Sequence, residues 1–183
     1  MALESRFLFL LASPREAGNS EILARHAASF LPPPTEQRWL RLSEYPLPPF
    51  EDLRHPTALD AYPPPEGAAA TLLEATLWAT DIVLVAPLYW YALPAPAKLY
   101  FDHWSGWMRV PGLDLRPKLG GKTLRAIVSS SGDATEAQPL HDMLRLTADY
   151  MHMNWGGMLL GNGSAPGDIR KDAPAWQAAT TFL

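Results

Sequence analysis

DIVLVAPLYWYALPAPAKLYFDHW, residues 81–104, joins three local patterns in one run. Asp81–Ala86 is β-branched and almost continuously apolar, as a strand buried on both faces of a parallel sheet must be. Pro87-Leu88-Tyr89-Trp90-Tyr91-Ala92-Leu93-Pro94-Ala95-Pro96 continues neither a strand nor a helix, because its prolines lack the N–H that a ladder or a helix interior needs. From about Ala95 to Met108 the residues Ala97, Phe101, Trp104 and Met108 recur at helical spacing as a core stripe. Lys98 and Asp102 stand on the other face as a solvated i,i+4 pair.

The same alternation runs through the rest of the chain. Arg6–Ala12 reads as a first buried strand, and Ser20–Phe30 as a helix with Ile22, Leu23, His26, Ala27 and Phe30 on one face. Gln37–Leu42 is a shorter, more exposed strand. The proline-rich stretch Ser43–Gly67 is an irregular connection. A helix (Ala68–Ala79) precedes the central strand. A loop through Pro111, Gly112 and Pro117 leads to strand Leu124–Ser129. A fourth long helix, about Thr135–His152, carries Leu140, Leu144, Thr147 and Met151 on one side. Strand Asn154–Gly161 and a short helix Ala173–Leu183 close the chain. Five strands alternating with helices predict an α/β domain spanning residues 1–183, a parallel sheet with helices on both faces.

Composition narrows the function classes. The 183 residues are 48% hydrophobic and 19% charged, enough for one sizeable core. Fifteen basic against nineteen acidic residues give a net charge of −4, which argues against nucleic acid or an anionic membrane surface as the main partner. With no cysteine there is no disulfide, thiol nucleophile, iron–sulfur cluster or cysteine-ligated zinc, and that absence fits a reducing cytoplasm. The apolar start, Phe7–Ala12, is too short for a secretory signal. The longest uncharged run, Ile82–Ala97, is broken by three prolines and does not read as a membrane span. The five histidines form no H-x-x-x-H pair, so no metal site is expected.

In open parallel sheets ligands bind beyond the C-terminal strand ends, near the point where strand order reverses. Function is therefore expected in the loops after strands one, three and four. After strand one, Ser13-Pro14-Arg15-Glu16-Ala17-Gly18-Asn19-Ser20 places hydroxyl, amide and guanidinium groups beside the free N–H donors of a helix N-terminus, an anion site. The bland reading is a helix capped by Asn19 or Ser20 with a surface arginine. After strand three, Tyr89, Trp90 and Tyr91 cannot all enter one core. Held in a proline-stiffened loop, they suit stacking on a planar ring or, equally, a dimer interface. After strand four, Ser129-Ser130-Ser131-Gly132 lets backbone approach a ligand, while Asp133 or Thr135 could simply cap the next helix.

Together these loops resemble the flavodoxin-like NAD(P)H-dependent FMN reductase and quinone reductase family over roughly residues 6–160. The most specific piece is Ala86 to Asp102. Ser13-Pro14-Arg15 with Gly18-Asn19-Ser20 is similar to the family's phosphate loop, and PLPPFEDL (residues 46–53) to its segment after strand two. The resemblance implies a flavodoxin-like three-layer sandwich with strand order 2-1-3-4-5. It implies that Ser13, Arg15, Gly18, Asn19 and Ser20 hold the FMN phosphate. Pro87, Leu88, Tyr89, Trp90 and Tyr91 would flank the flavin ring, and Ser129, Ser130, Ser131 and Gly132 would meet its polar edge. It further implies a hydride passed from NAD(P)H to FMN and on to a quinone, azo, nitro or flavin acceptor, in a homodimer or homotetramer. The flavin performs the redox chemistry, so no catalytic side chain is named. A flavodoxin-type electron carrier without NAD(P)H activity is the alternative; a hydrolase or binding module on the same scaffold is a third. Some relatives carry a cysteine cluster that this chain lacks, and its last helix is short.

Other motifs carry less. Gly161-Asn162-Gly163-Ser164-Ala165-Pro166-Gly167 hints at a dinucleotide fingerprint, but its third glycine is one place late and too little chain follows. Gly121-Lys122-Thr123 lacks the first P-loop glycine and precedes its strand. No G-x-S-x-G nucleophile elbow occurs.

Overall fold

The computed structural model describes residues 5–53 and 61–183. In chain order its elements are β1 (Arg6–Leu11), α1 (Asn19–Ala28), β2 (Glu36–Arg41), α2 (Gly67–Trp78), β3 (Asp81–Pro87), α3 (Ala95–Trp107), α4 (Leu115–Leu119), β4 (Thr123–Ser130), α5 (Gln138–Tyr150), β5 (Asn154–Asn162) and α6 (Ala173–Ala179). The sheet runs β2-β1-β3-β4-β5 and every pairing is parallel. Leu10 of β1 lies between Leu40 of β2 and Leu84 of β3. The order reverses at β1, so the C-terminal ends of β1 and β3 form the crevice where such sheets take ligands.

Strand alternation splits the core into two layers. Leu8, Leu10, Ile82, Leu84, Leu124 and Ala126 face Leu72 of α2, Tyr100 and Trp104 of α3, and Leu140 and Leu144 of α5. Phe7, Phe9, Leu11, Val83, Val85 and Ile127 face Leu23, Ala24 and Ala27 of α1 and Ala179 of α6. Tyr100 is fully buried, with its hydroxyl 2.6 Å from Thr76 Oγ1 of α2. Among the described residues no helix is long and apolar enough to cross a membrane.

Several expectations change. α5 begins at Gln138 rather than Thr135, because Asp133 accepts from the Thr135 N–H at 2.8 Å and caps a separate 3-10 turn, Ala134–Ala137. Pro139 then opens the new helix, where its missing N–H does no harm. The Pro111–Pro117 loop contains the short α4, and α6 ends at Ala179 rather than Leu183. On α1 the buried face is Ser20, Leu23, Ala24 and Ala27, and Phe30 is exposed. On α3 Ala97 and Trp104 are core, while Phe101, and Met108 just past the helix end, only pack against it. Lys98 and Asp102 pair as expected. Of the proline-rich stretch, residues 54–60 lie outside the described residues, as does His55.

Candidate functional site

A cleft of about 220 Å³ opens at the C-terminal ends of β1, β3 and β4. Ser13, Arg15, Gly18, Asn19 and Ser20 line it from the first loop, Pro87, Leu88 and Tyr89 from the second, and Ser129, Ser130 and Ser131 from the third. Gly163 and Ser164, after β5, complete the wall. Trp90, Tyr91 and Gly132 are outside its lining.

The first loop delivers an uncapped helix. Gly18 is the N-cap residue of α1 and no side chain caps the helix, so neither Asn19 nor Ser20 does what the bland reading required. The first N–H groups of a helix have no partner within it and carry its positive partial charge. Here they open toward the cleft. A Cβ on Gly18 would meet Arg15 O and Ser13 Oγ at 3.6 Å, an ordinary contact, and φ is −68°. Nothing in the protein itself demands glycine there beyond its tolerance as an N-cap, and its lack of a side chain leaves the N–H groups of the first turn accessible from the cleft. Ser13 Oγ accepts from the Arg15 N–H at 3.1 Å, and the Arg15 guanidinium is exposed. Glu21, in the first turn of α1, is buried, which pushes its carboxyl up. Hydrogen bonds and charge from Arg41 and Arg25 outweigh that and hold it below the ordinary value.

Asn19 plays a different part from the one expected of its side chain. Its Nδ2 donates to Gly163 O and Ala165 O, each at 3.0 Å, and its Oδ1 accepts from the Gly167 N–H at 2.9 Å. Both Nδ2 hydrogens are committed to tying the β5 loop onto α1, which leaves the backbone N–H as the donor that Asn19 can offer an anion. Gly163 must be glycine for the same reason: a Cβ would sit 2.9 Å from Asn19 Nδ2 and from Ile169 N. The G-N-G-S run is thus a close-packing device that closes the cleft, and its role was hidden because its partner stands some 144 residues away.

The second loop is a strained hairpin. Tyr89 and Ala92 exchange backbone hydrogen bonds at 3.1 and 3.0 Å, and the two residues between them, Trp90 and Tyr91, have φ of 51° and 63°. Two successive positive φ values belong to the primed turn that Asn-Gly adopts readily and bulky residues do not. Trp90 is 91% exposed, and Tyr89 and Tyr91 about half so. Aromatic rings are therefore displayed on a backbone that disfavours them, a combination found at functional sites.

The third loop supplies hydroxyls. Ser129 and Ser130 are buried at the end of β4, and Ser129 O accepts from Leu88 N–H at 2.8 Å, locking the second loop to the third. Ser130 Oγ accepts from Gly132 N–H, and Gly132 O takes Asn162 Nδ2. The hydroxyls of Ser20, Ser129 and Ser131 make no side-chain hydrogen bond to protein among the described residues. One end of the site therefore suits an anion, the middle a polyol, and the outer lip a planar ring.

The sequence pattern of the flavodoxin-like fold matches residues 5–181. The chain belongs to that family. A Bacillus subtilis (strain 168) protein named "Putative NAD(P)H-dependent FMN-containing oxidoreductase YwqN" is 29% identical over 171 residues, 92% of this chain and 91% of that protein. The structure of a Trp repressor binding protein from Bacillus subtilis superposes with a TM-score of 0.76 at 23% identity, covering 97% of each chain. An FMN-dependent NADH-azoreductase from Bacillus anthracis str. Ames Ancestor, solved in complex with FMN, superposes with a TM-score of 0.65 at 15% identity over 96% of each.

Proposed function

We propose that this chain is an NAD(P)H-dependent FMN oxidoreductase whose second substrate is a small planar acceptor: a quinone, an azo or nitro compound, or a free flavin. The observation that carries the reading is the uncapped N-terminus of α1 opening onto the same cleft that the strained aromatic hairpin overhangs. The residues fit FMN. The Gly18, Asn19 and Ser20 N–H groups with Ser13 and Arg15 suit its phosphate, and the Ser129–Ser131 hydroxyls suit its ribityl chain and ring edge. Tyr89, Trp90 and Tyr91 suit the ring face. Bound there, FMN supplies the two-electron chemistry between a nicotinamide and the acceptor. The protein's own contribution is to orient, since holding two planar reactants face to face replaces several kcal/mol of entropic barrier.

At about 220 Å³ the cleft is below the ~300–1,000 Å³ usual for a small-molecule site. The ring system must then lie largely outside it, against the hairpin. A second copy of the chain is the natural cover. An apolar groove of about 570 Å³ begins at Ala95, just past the hairpin, between Leu42, Tyr45, Pro46 and Leu47 on one side and Pro96 and Leu99 of α3 on the other. A homodimer or homotetramer meeting there would enclose the ring between protomers. The test is an anaerobic spectrum of the FMN-loaded protein before and after NADPH, alongside size-exclusion chromatography. Bleaching of the flavin band supports the enzyme. A flavin spectrum that NADH and NADPH leave unchanged supports a carrier and overturns the proposal, as does failure to take up FMN.

A further inference from the structure

The loop after β1 is shaped from behind by a side chain of the neighbouring strand. Arg41, the last residue of β2, donates from Nη1 to the carbonyls of Ser13 and Arg15, both at 3.2 Å. Its Nη2 donates to Glu21 Oε2 at 2.7 Å, and the same oxygen accepts from the Ala17 N–H at 3.1 Å. Glu21 Oε1 takes Arg25 at 2.8 Å. The Arg41 and Glu21 side chains are only 12% and 8% exposed. Ala17, which the carboxylate holds, has φ of 48°, a conformation alanine avoids unless it is held.

A carbonyl oxygen facing an anion repels it, whereas an N–H attracts it. Arg41 holds two carbonyls of this loop, those of Ser13 and Arg15, away from the cleft. Because the peptide is planar and trans, drawing Arg15 C=O to Arg41 turns the Glu16 N–H the opposite way. Arg41 is not among the residues lining the cleft, so it acts through the loop and not by touching the ligand. Glu21 neutralises the buried guanidinium and pins the strained corner at Ala17.

We propose that Arg41 is a positioning residue that turns the β1–α1 loop into an anion cradle, and so sets this chain's preference for a phosphorylated flavin over an unphosphorylated one. The proposal rests on the FMN reading above. It is tested by titrating the apo-protein with FMN and with riboflavin, following flavin fluorescence, in wild type, Arg41→Lys, and the double variant Arg41→Met/Glu21→Gln. The double variant removes both buried charges together, because deleting one alone leaves the other uncompensated.

Wild type should bind FMN at least about tenfold more tightly than riboflavin. In the double variant, with near-UV circular dichroism unchanged, that ratio should collapse to within about threefold while the riboflavin constant moves less than about twofold. Arg41→Lys keeps the charge but not the fork that spans two carbonyls and a carboxylate, and should fall between. If the double variant does not fold, Arg41→Lys decides by the same ratio. A ratio kept at the wild-type value overturns the proposal, and so does an equal loss for both ligands, the mark of a merely structural residue. No preference in wild type overturns the phosphate reading itself, and the proposal with it.

Discussion

Replacing Trp90 and Tyr91 with Asn and Gly should make the apo-protein more stable and the holoprotein worse. Both residues sit at positive φ, 51° and 63°, between the paired Tyr89 and Ala92. The left-handed region costs an L-residue ~1–2 kcal/mol, so the pair stores ~2–4 kcal/mol. Asn-Gly releases most of it, less ~0.5–1 kcal/mol for the glycine's greater freedom when unfolded. Little burial is lost from Trp90, which is 91% exposed. The net gain is ~1–3 kcal/mol. At ~2–4 °C per kcal/mol for a chain of this size, Tm of the apo-protein should rise by ~2–12 °C. The same change removes two aromatic contacts worth ~0.5–1.5 kcal/mol each from the flavin. FMN affinity should therefore fall ~5- to 150-fold. A thermal melt without cofactor and a fluorescence titration with it read the two effects on one sample. A variant that melts at or below wild type refutes the strain, and one that binds FMN like wild type refutes the stacking role.

Gly18→Ala should leave apo-protein stability within ~0.5 kcal/mol, because a Cβ there meets only ordinary contacts and the entropy gained by removing glycine offsets a poorer N-cap. FMN should bind at least about tenfold more weakly; equal binding in a flavin titration would remove Gly18 from the site. Asn19→Ala breaks three hydrogen bonds to the β5 loop and should destabilise the apo-protein by ~1–3 kcal/mol in urea unfolding, where a side chain serving only the ligand would leave it unchanged. Glu21 contributes to acid stability. Its folded carboxyl lies below the ordinary 4.5, so its contribution is complete above that value and disappears as pH falls through the depressed one. The stability difference between wild type and Glu21→Gln, read from urea unfolding across pH 2–7, should shrink on acidification; a constant difference would count against the ion pair.

Strand count and both helix layers followed from apolar runs and helical periodicity, because burial on a parallel sheet leaves a period that local sequence reports, whereas the strand order came only from the resemblance to the flavodoxin-like family. Boundaries set by a single hydrogen bond were less visible: the turn that Asp133 caps reads as helix by periodicity alone. The residues missed at the site share another cause. Gly163 and Ser164 close the cleft through bonds of Gly163 to Asn19 and Ser130, and Arg41 reaches the first loop from the next strand. Both are contacts between distant segments, and a side chain's partner across a sheet leaves no periodic trace. The hairpin failed to announce itself for the converse reason, since Tyr-Trp-Tyr-Ala carries none of the turn residues that its backbone conformation prefers.

That conflict between local preference and adopted structure is itself informative. Natural chains are locally consistent nearly everywhere, and departures concentrate where something other than folding is selected. Here the departures fall together. α1 has no side-chain cap, Ala17, Trp90 and Tyr91 occupy left-handed backbone, and an arginine–glutamate pair is buried beside the loop they shape. All lie at the C-terminal end of the sheet, around the reversal of strand order at β1. Asp114 and His152 also have positive φ, but they stand on the segments that lead into β4 and β5 and not on the loops that leave β1, β3 and β4, so strain alone is not the signal. What marks the cleft is strain combined with unspent donors and displayed rings. A protein optimised for the apo state would cap the helix and put Asn-Gly in the hairpin. This chain does neither, and the free energy it forgoes, a few kcal/mol by the increments above, is of the size that an FMN bound at ~100 times its dissociation constant returns, ~2.7 kcal/mol.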